Sequence, residues 1–130
     1  MLAALKDKPG RVVLVDLGGG VLTVARGDKS QVDALVVVDE PYPRSLEVGR
    51  RLLEMATEKN ISRRIVVANK VGDDEDLQVI RDCLGSEPDV VIPLDGAVLA
   101  ADRAGASPID HDPRSPAVGV LRELASSLVA

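Results

Sequence analysis

The sequence predicts an α/β fold with a parallel sheet of about four strands and flanking helices. Two observations indicate this class: β-branched runs of strand length recur along the chain, and helical patterns separate them. None of the runs alternates apolar with polar residues, which is typical of strands buried on both faces. The predicted strands are residues 11–16, 34–39, 64–69 and 89–93. The chain has 130 residues without an internal repeat or linker, so residues 1–130 are interpreted as a single domain.

The helices are predicted from apolar stripes and from residues that begin or end a helix. Four acidic residues open the segment 73–84, and Gly85 follows its end. Ser115 precedes Pro116, a pair that is typical of a helix start. The predicted helices are residues 45–59, 73–84, 97–104 and 116–129, with residues 2–6 as the end of a further helix.

Composition excludes several classes of function. A net charge of −5 disfavours non-specific binding to nucleic acid, and a single aromatic residue, Tyr42, cannot form a base-stacking platform. No apolar run approaches the ~20 residues that cross a membrane, and the first residues lack the layout of a signal peptide. Cys83 is the single cysteine and is interpreted as a small core residue on a helix, and His111 as a solvated loop residue. We therefore expect a cytoplasmic protein without nucleic-acid or membrane partners.

Polar residues follow the predicted strands, at the ends where α/β sheets bind ligands. Asp16 ends the first strand and glycines 18–20 follow it; glycine backbone can approach a phosphate, and an aspartate there can hold a metal through water. Asn69 ends the third strand, and its amide offers a donor and an acceptor to the edge of a nucleobase. GTP-binding proteins place an aspartate three residues after such an asparagine. That position is Gly72, so specificity for guanine is not supported.

Four motifs, taken in order, resemble one family. They are Asp16 to Gly20 after a strand, Glu40-Pro41 with Ser45, Asn69-Lys70, and Ile92-Pro93 with Asp95. This series resembles the carboxyl-terminal half of a MinD/ParA-like P-loop ATPase of the SIMIBI class. Within that family it is most similar to the CooC-type accessory ATPases that insert nickel into carbon monoxide dehydrogenase. The resemblance runs from residue 11 to the end and implies an incomplete P-loop NTPase fold, Rossmann-like with three layers.

The resemblance also implies nucleotide contacts, with ATP and Mg²⁺ as the cofactors. The implied contacts are Asp16, Gly20, Asn69, Lys70, Pro93 and Asp95. By this resemblance, Asp16 lies on the metal side and Gly20 donates its backbone amide near the γ-phosphate. Asn69 reads adenine, and the remaining three residues lie on the side of the base. No catalytic residue and no set of direct metal ligands is predicted.

The family's phosphate-binding motif, Gly-x-x-x-x-Gly-Lys-Ser/Thr, does not occur in the 130 residues, and neither does its nickel-binding cysteine pair. The sequence therefore predicts a shortened ATPase domain, its adenine-side half, which is inactive alone. The parent family couples ATP hydrolysis to metal insertion or protein positioning. The alternative is a non-enzymatic interaction module that keeps the fold and pairs with another chain. A receiver-like phosphoacceptor is disfavoured, because receivers have paired acids at the first strand and a lysine after the fifth.

The predicted strands are expected to lie side by side in chain order, with residues 11–16 paired directly and in parallel with residues 34–39. Right-handed crossovers in one direction place their helices on one face, so the helix 116–129 would cover the other face almost alone. Such an arrangement leaves apolar strand residues exposed, and large exposed apolar patches usually mark association. A homodimer or a partner protein chain is therefore expected.

Overall fold

A computed structural model of the chain describes residues 10–17 and 32–129, which contain a three-stranded parallel sheet. The strands β1 (Ala34–Asp39), β2 (Arg63–Val71) and β3 (Val90–Pro93) are adjacent in that order. The helices are α1 (Pro43–Glu58), α2 (Asp74–Leu84), α3 (Gly96–Arg103), α4 (Pro108–His111) and α5 (Pro116–Val129). The predicted α/β class, the parallel sheet and the order of the last three strands are confirmed.

Helices cover both faces of the sheet, because successive strand residues point to opposite sides. On one face, Ala68 of β2 packs against Leu46 of α1 and Ile80 of α2. On the other face, the neighbouring Val67 packs against Ala117 of α5. The two crossover helices therefore share one face and the last helix covers the other, as the crossover argument predicts.

Residues 11–17 do not form the first predicted strand. They have no regular secondary structure, and Leu14 is 82% exposed. The predicted pairing of 11–16 with 34–39 is therefore wrong for the described residues. An apolar β-branched run is a strand only when it is hydrogen-bonded to a neighbouring strand, and residues 11–17 pair with none of the described strands, although β1 lies at the edge of the described sheet. The predicted helix 2–6 and the glycines 18–20 lie outside the described residues.

Local signals set the element boundaries. Helix α1 begins at Pro43, two residues before the predicted start, because proline suits the first helical position. Gly85 ends α2 in the left-handed conformation with φ 72°, as expected of a helix-ending glycine. The short helix α4 was not predicted, and it too begins with a proline, Pro108. It ends with His111, which is exposed but lies in this helix rather than in a loop. Cys83 lies on α2 as predicted, but it is exposed and is not a core residue.

A charged side chain is buried between β1 and α1. Asp39, the last residue of β1, is 1% exposed. Its carboxylate lies directly on the backbone of Gly49 in α1, so that a Cβ atom at position 49 would overlap both carboxylate oxygens of Asp39. The contact is possible only because position 49 has no side chain.

We expect Gly49→Ala to destabilise the fold by about 1–3 kcal/mol, as overpacking of a filled site does. This cost opposes the roughly 1 kcal/mol that alanine gains over glycine in a helix. Urea denaturation of both proteins measures the difference. Gly119→Ala in α5 is the matched control, since a Cβ atom there meets nothing within 4 Å. Equal effects of the two substitutions would contradict the close contact.

Candidate functional site

Parallel strands bring their carboxyl ends to the same edge, and four of the predicted site residues lie along this edge. Asn69 and Lys70 stand at the end of β2, Pro93 ends β3, and Asp95 precedes α3. Asp16 is exposed in the irregular segment 11–17, so the structure does not place it at the end of a strand as predicted. Gly20 lies outside the described residues.

The Asn-Lys motif forms a β-bulge. Ala68 of β2 is paired with Val91 and Val71 with Pro93, so three steps along β2 match two steps along β3. The extra residue resets the alternation of side chains, and Val71 therefore packs on the same helical face as Ala68. Lys70 within the bulge adopts the left-handed conformation with φ 56°, which is uncommon for a lysine.

The Lys70 ammonium group is held by a carboxylate from the neighbouring strand end. Lys70 Nζ lies 2.7 Å from Glu40 Oε1, and this hydrogen bond, with the charge of Glu40, raises the pKa of Lys70. Glu40 is itself fixed, because its amide donates to Ser45 Oγ at 3.0 Å and its carbonyl accepts from the Tyr42 amide at 2.7 Å. In this structure Lys70 thus binds Glu40, although the resemblance assigned it to the nucleotide.

Asn69 keeps its side-chain amide available. It is half-buried in the bulge and makes no side-chain hydrogen bond with the part of the chain that the structure describes. The carboxylates that follow it along the chain are committed to the start of α2: Asp73 accepts from the Asp76 amide at 2.9 Å, and Asp76 accepts from the Gly72 amide at 2.8 Å. Asn69 therefore stands at the edge with a donor and an acceptor that can meet a ligand.

Asp95 joins two helices. One carboxylate oxygen accepts from the Ala97 amide of α3 at 2.9 Å, and the other accepts from the Ala117 amide of α5 at 3.0 Å. These bonds, that to Ala117 foremost, hold the pKa of Asp95 below its usual value. Asp95 thus lies where the sequence predicts, but its oxygens already bind backbone amides. Through these bonds Asp95 holds α3 and α5 in place beside Pro93.

Two curated proteins match most of the chain. The carbon monoxide dehydrogenase accessory protein CooC of Rhodospirillum rubrum is 34% identical over 119 residues, which are 87% of this chain and 43% of that protein. An uncharacterized ATP-binding protein of Methanocaldococcus jannaschii is 30% identical over 118 residues, 88% of this chain and 46% of that protein. The chain is therefore homologous to part of CooC and to part of this ATP-binding protein. The resemblance inferred from the motifs is confirmed, and the chain spans less than half the length of either relative.

Solved structures show the same fold. The MinD cell division protein of Aquifex aeolicus has a TM-score of 0.59 at 21% identity, over 76% of this chain and 44% of the MinD chain. MinD in the MinC:MinD complex from the same organism gives a TM-score of 0.59 over 76% of this chain and 43% of that one. No protein-family model matches the chain. The MinD-like fold therefore rests on structural likeness, and the kinship with CooC rests on sequence.

Two kinds of feature are absent from the described residues. Within residues 10–17 and 32–129, no group of three or more His, Cys, Asp or Glu side chains is placed to hold a metal ion. In the same ranges, no helix has the length and apolar character needed to span a bilayer.

Sequence reasoning missed two charged groups at this edge. Glu40 entered the sequence analysis only as part of a motif. The ion pair between Glu40 and Lys70 depends on a bulge that has no signal in the sequence. Asp39 is the last residue of the predicted strand 34–39, and its side chain follows the inward parity of Leu35 and Val37. Its Oδ2 atom is buried without a hydrogen-bond partner among the described residues. Burial raises the pKa of Asp39 to about 6, although a hydrogen bond from Ser45 partly offsets the effect.

Asp39 should make stability depend on pH. Its pKa is about 6 in the native state against 3.8 for the free side chain, so between these values the native state binds more protons than the unfolded state. Stability therefore falls as pH rises through this window, by about 3 kcal/mol from this group. Urea denaturation from pH 4 to pH 7 should show the fall in wild type and a flatter profile for Asp39→Asn. Asp102→Asn, at an exposed position, controls for the charge and should leave the wild-type profile unchanged.

Proposed function

We propose that this chain forms the adenine-side part of a MinD/ParA-like ATP-binding domain, with the base bound at the carboxyl edge of β2 and β3. The supporting observation is the available Asn69 amide on the bulge. An asparagine amide matches adenine, which presents an amino donor beside a ring-nitrogen acceptor. Leu94, 66% exposed directly after β3, offers apolar surface for the face of the base. A cytoplasmic location is part of the same proposal.

The phosphate side is not formed by the described residues. Phosphoryl transfer depends on positioning and charge stabilisation by a phosphate-binding loop and its lysine, and that motif does not occur in the 130 residues. Asp16 is exposed in an irregular segment, so the described residues do not fit a Mg²⁺ site. We therefore propose that ATP and Mg²⁺ are ligands of a complete domain of this family, and that the 130-residue polypeptide alone does not hydrolyse ATP.

The isolated chain should bind adenine nucleotides with a Kd of about 1 mM or weaker, because only the base contributes. In an NMR titration, AMP and ATP should shift the Asn69 side-chain amide to similar extents, and GMP should shift it less. Asn69→Ala should abolish the binding, whereas Gln78→Ala, which removes an exposed amide on α2, should not. Micromolar affinity for ATP that AMP lacks would contradict the proposal. Mg²⁺-dependent hydrolysis that Asp16→Ala abolishes would contradict it as well.

The second candidate is an interaction module that pairs with another chain, and one observation favours it. Val38 is 54% exposed although it lies within β1. It has the same parity as Val36, which packs on the α5 face, so α5 leaves this part of the sheet uncovered. The MinD structure in complex with MinC shows that a protein of this fold binds a partner. We propose that a second copy or a partner chain covers the sheet beside Val38.

An uncovered sheet face predicts self-association at high concentration. Light scattering of the concentrated chain should show species larger than a monomer, and a hydrophobic dye should bind. Val38→Lys should reduce both, because it places a charge on the uncovered face. Val79→Lys, at an exposed valine of α2, is the matched control. A monodisperse monomer that binds no dye would overturn the second candidate.

A further inference from the structure

We propose that Glu40 is a positioning residue, which holds the Asn69–Lys70 bulge through its ion pair with Lys70 so that the Asn69 amide is presented to the base. This inference rests on the proposed function of the edge. Glu40 thus positions Asn69 without touching the base. Lys70 takes part through its ion pair with Glu40, without contacting the nucleotide.

The conformation of Lys70 needs an external support. Its φ of 56° is costly for a residue with a side chain, and lysine lacks the short polar group by which asparagine offsets that cost. Such conformations persist where the surrounding structure determines them, and they cluster at functional sites. Lys70 directly follows Asn69 along the chain, so the orientation of the peptide between them also sets the position of the Asn69 side-chain amide.

The two ends of the bulge are fixed by the sheet. Before it, Ala68 keeps its register with Val91; after it, the Leu94 amide donates to the Val71 carbonyl at 2.8 Å. These contacts require an extra residue between positions 68 and 71, but they do not choose its conformation. Glu40 reaches this residue directly, since its carboxylate bonds Lys70 Nζ from the end of the neighbouring strand.

Glu40 is suited to this task because its own backbone is anchored. The Ser45 hydroxyl accepts from its amide, and the Tyr42 amide donates to its carbonyl, so Glu40 is tied to the first turn of α1. The side chains of Lys70 and Glu40 are 54% and 30% exposed, and ion pairs with this exposure contribute little to global stability. Removing the pair should therefore leave the chain folded and change the local conformation.

Glycine provides the decisive variant, because it adopts positive φ without support. The isotope-labelled 130-residue chain is compared with Glu40→Gln, Lys70→Gln and the double variant Glu40→Gln/Lys70→Gly. Glu47→Gln is the matched control, since it breaks an exposed ion pair with Arg51 on α1 by the same chemical change. Two readouts are used: the strong intraresidue amide–Hα NOE at Lys70 that marks positive φ, and the affinity for AMP followed at the Asn69 side-chain amide.

Glu40→Gln and Lys70→Gln should each weaken the NOE and lower the affinity for AMP about fivefold. The double variant should return the affinity to within about twofold of wild type, and Glu47→Gln should match wild type throughout. The proposal is overturned if Glu40→Gln keeps both readouts, or if glycine at position 70 does not restore binding. Absence of any AMP response at Asn69 in wild type would instead overturn the proposed function. The NOE would then decide by itself whether Glu40 sets the bulge.

Discussion

The edge of the sheet depends on one extra residue in β2. Without it, Val71 would point away from the helical face, and its packing against the cluster that Ala68 forms with α1 and α2 would be lost. With it, β2 stays in register with β3 while the Asn69–Lys70 step is released from the regular ladder. A packing requirement in the core is thus met by an irregularity at the surface, where an amide can meet a ligand.

Around this bulge, most polar groups build the scaffold, whereas the Asn69 amide remains available and the buried Oδ2 atom of Asp39 has no hydrogen-bond partner among the described residues. Asp73 and Asp76 bind the amides at the start of α2, Asp95 binds those of two helices, and Lys70 binds Glu40. Each of these groups satisfies a backbone donor or an opposite charge, as polar groups near a core must. The Asn69 side-chain amide makes no such hydrogen bond with the described residues, and the functional proposal therefore rests on it.

Sequence patterns predicted most of the fold because its signals are local. Caps and prolines set the helix starts, and apolar β-branched runs mark strands with a neighbour to pair with. The segment 11–16 carries the same pattern without a paired neighbour in the described structure. An apolar pattern predicts that a segment is buried, but it does not identify the element that packs against it. Of the candidate site, Asn69, Pro93 and Asp95 fall at the edge because the strands lie where they were predicted, although β2 continues two residues beyond its predicted end. The charged contacts of Asp39 and Glu40 were missed, since they depend on tertiary parity and on a bulge.

The two hydrogen bonds that the Asp95 carboxylate accepts have a further consequence for the segment between them. By accepting from Ala97 and Ala117, one carboxylate closes a loop that carries α4 and ends where α5 begins. The closing contacts are at the base of this loop, and the entropic cost of lengthening a closed loop grows only slowly with its length. Insertions, deletions or an altered α4 between residues 104 and 114 can therefore accumulate without displacing β3 or α5.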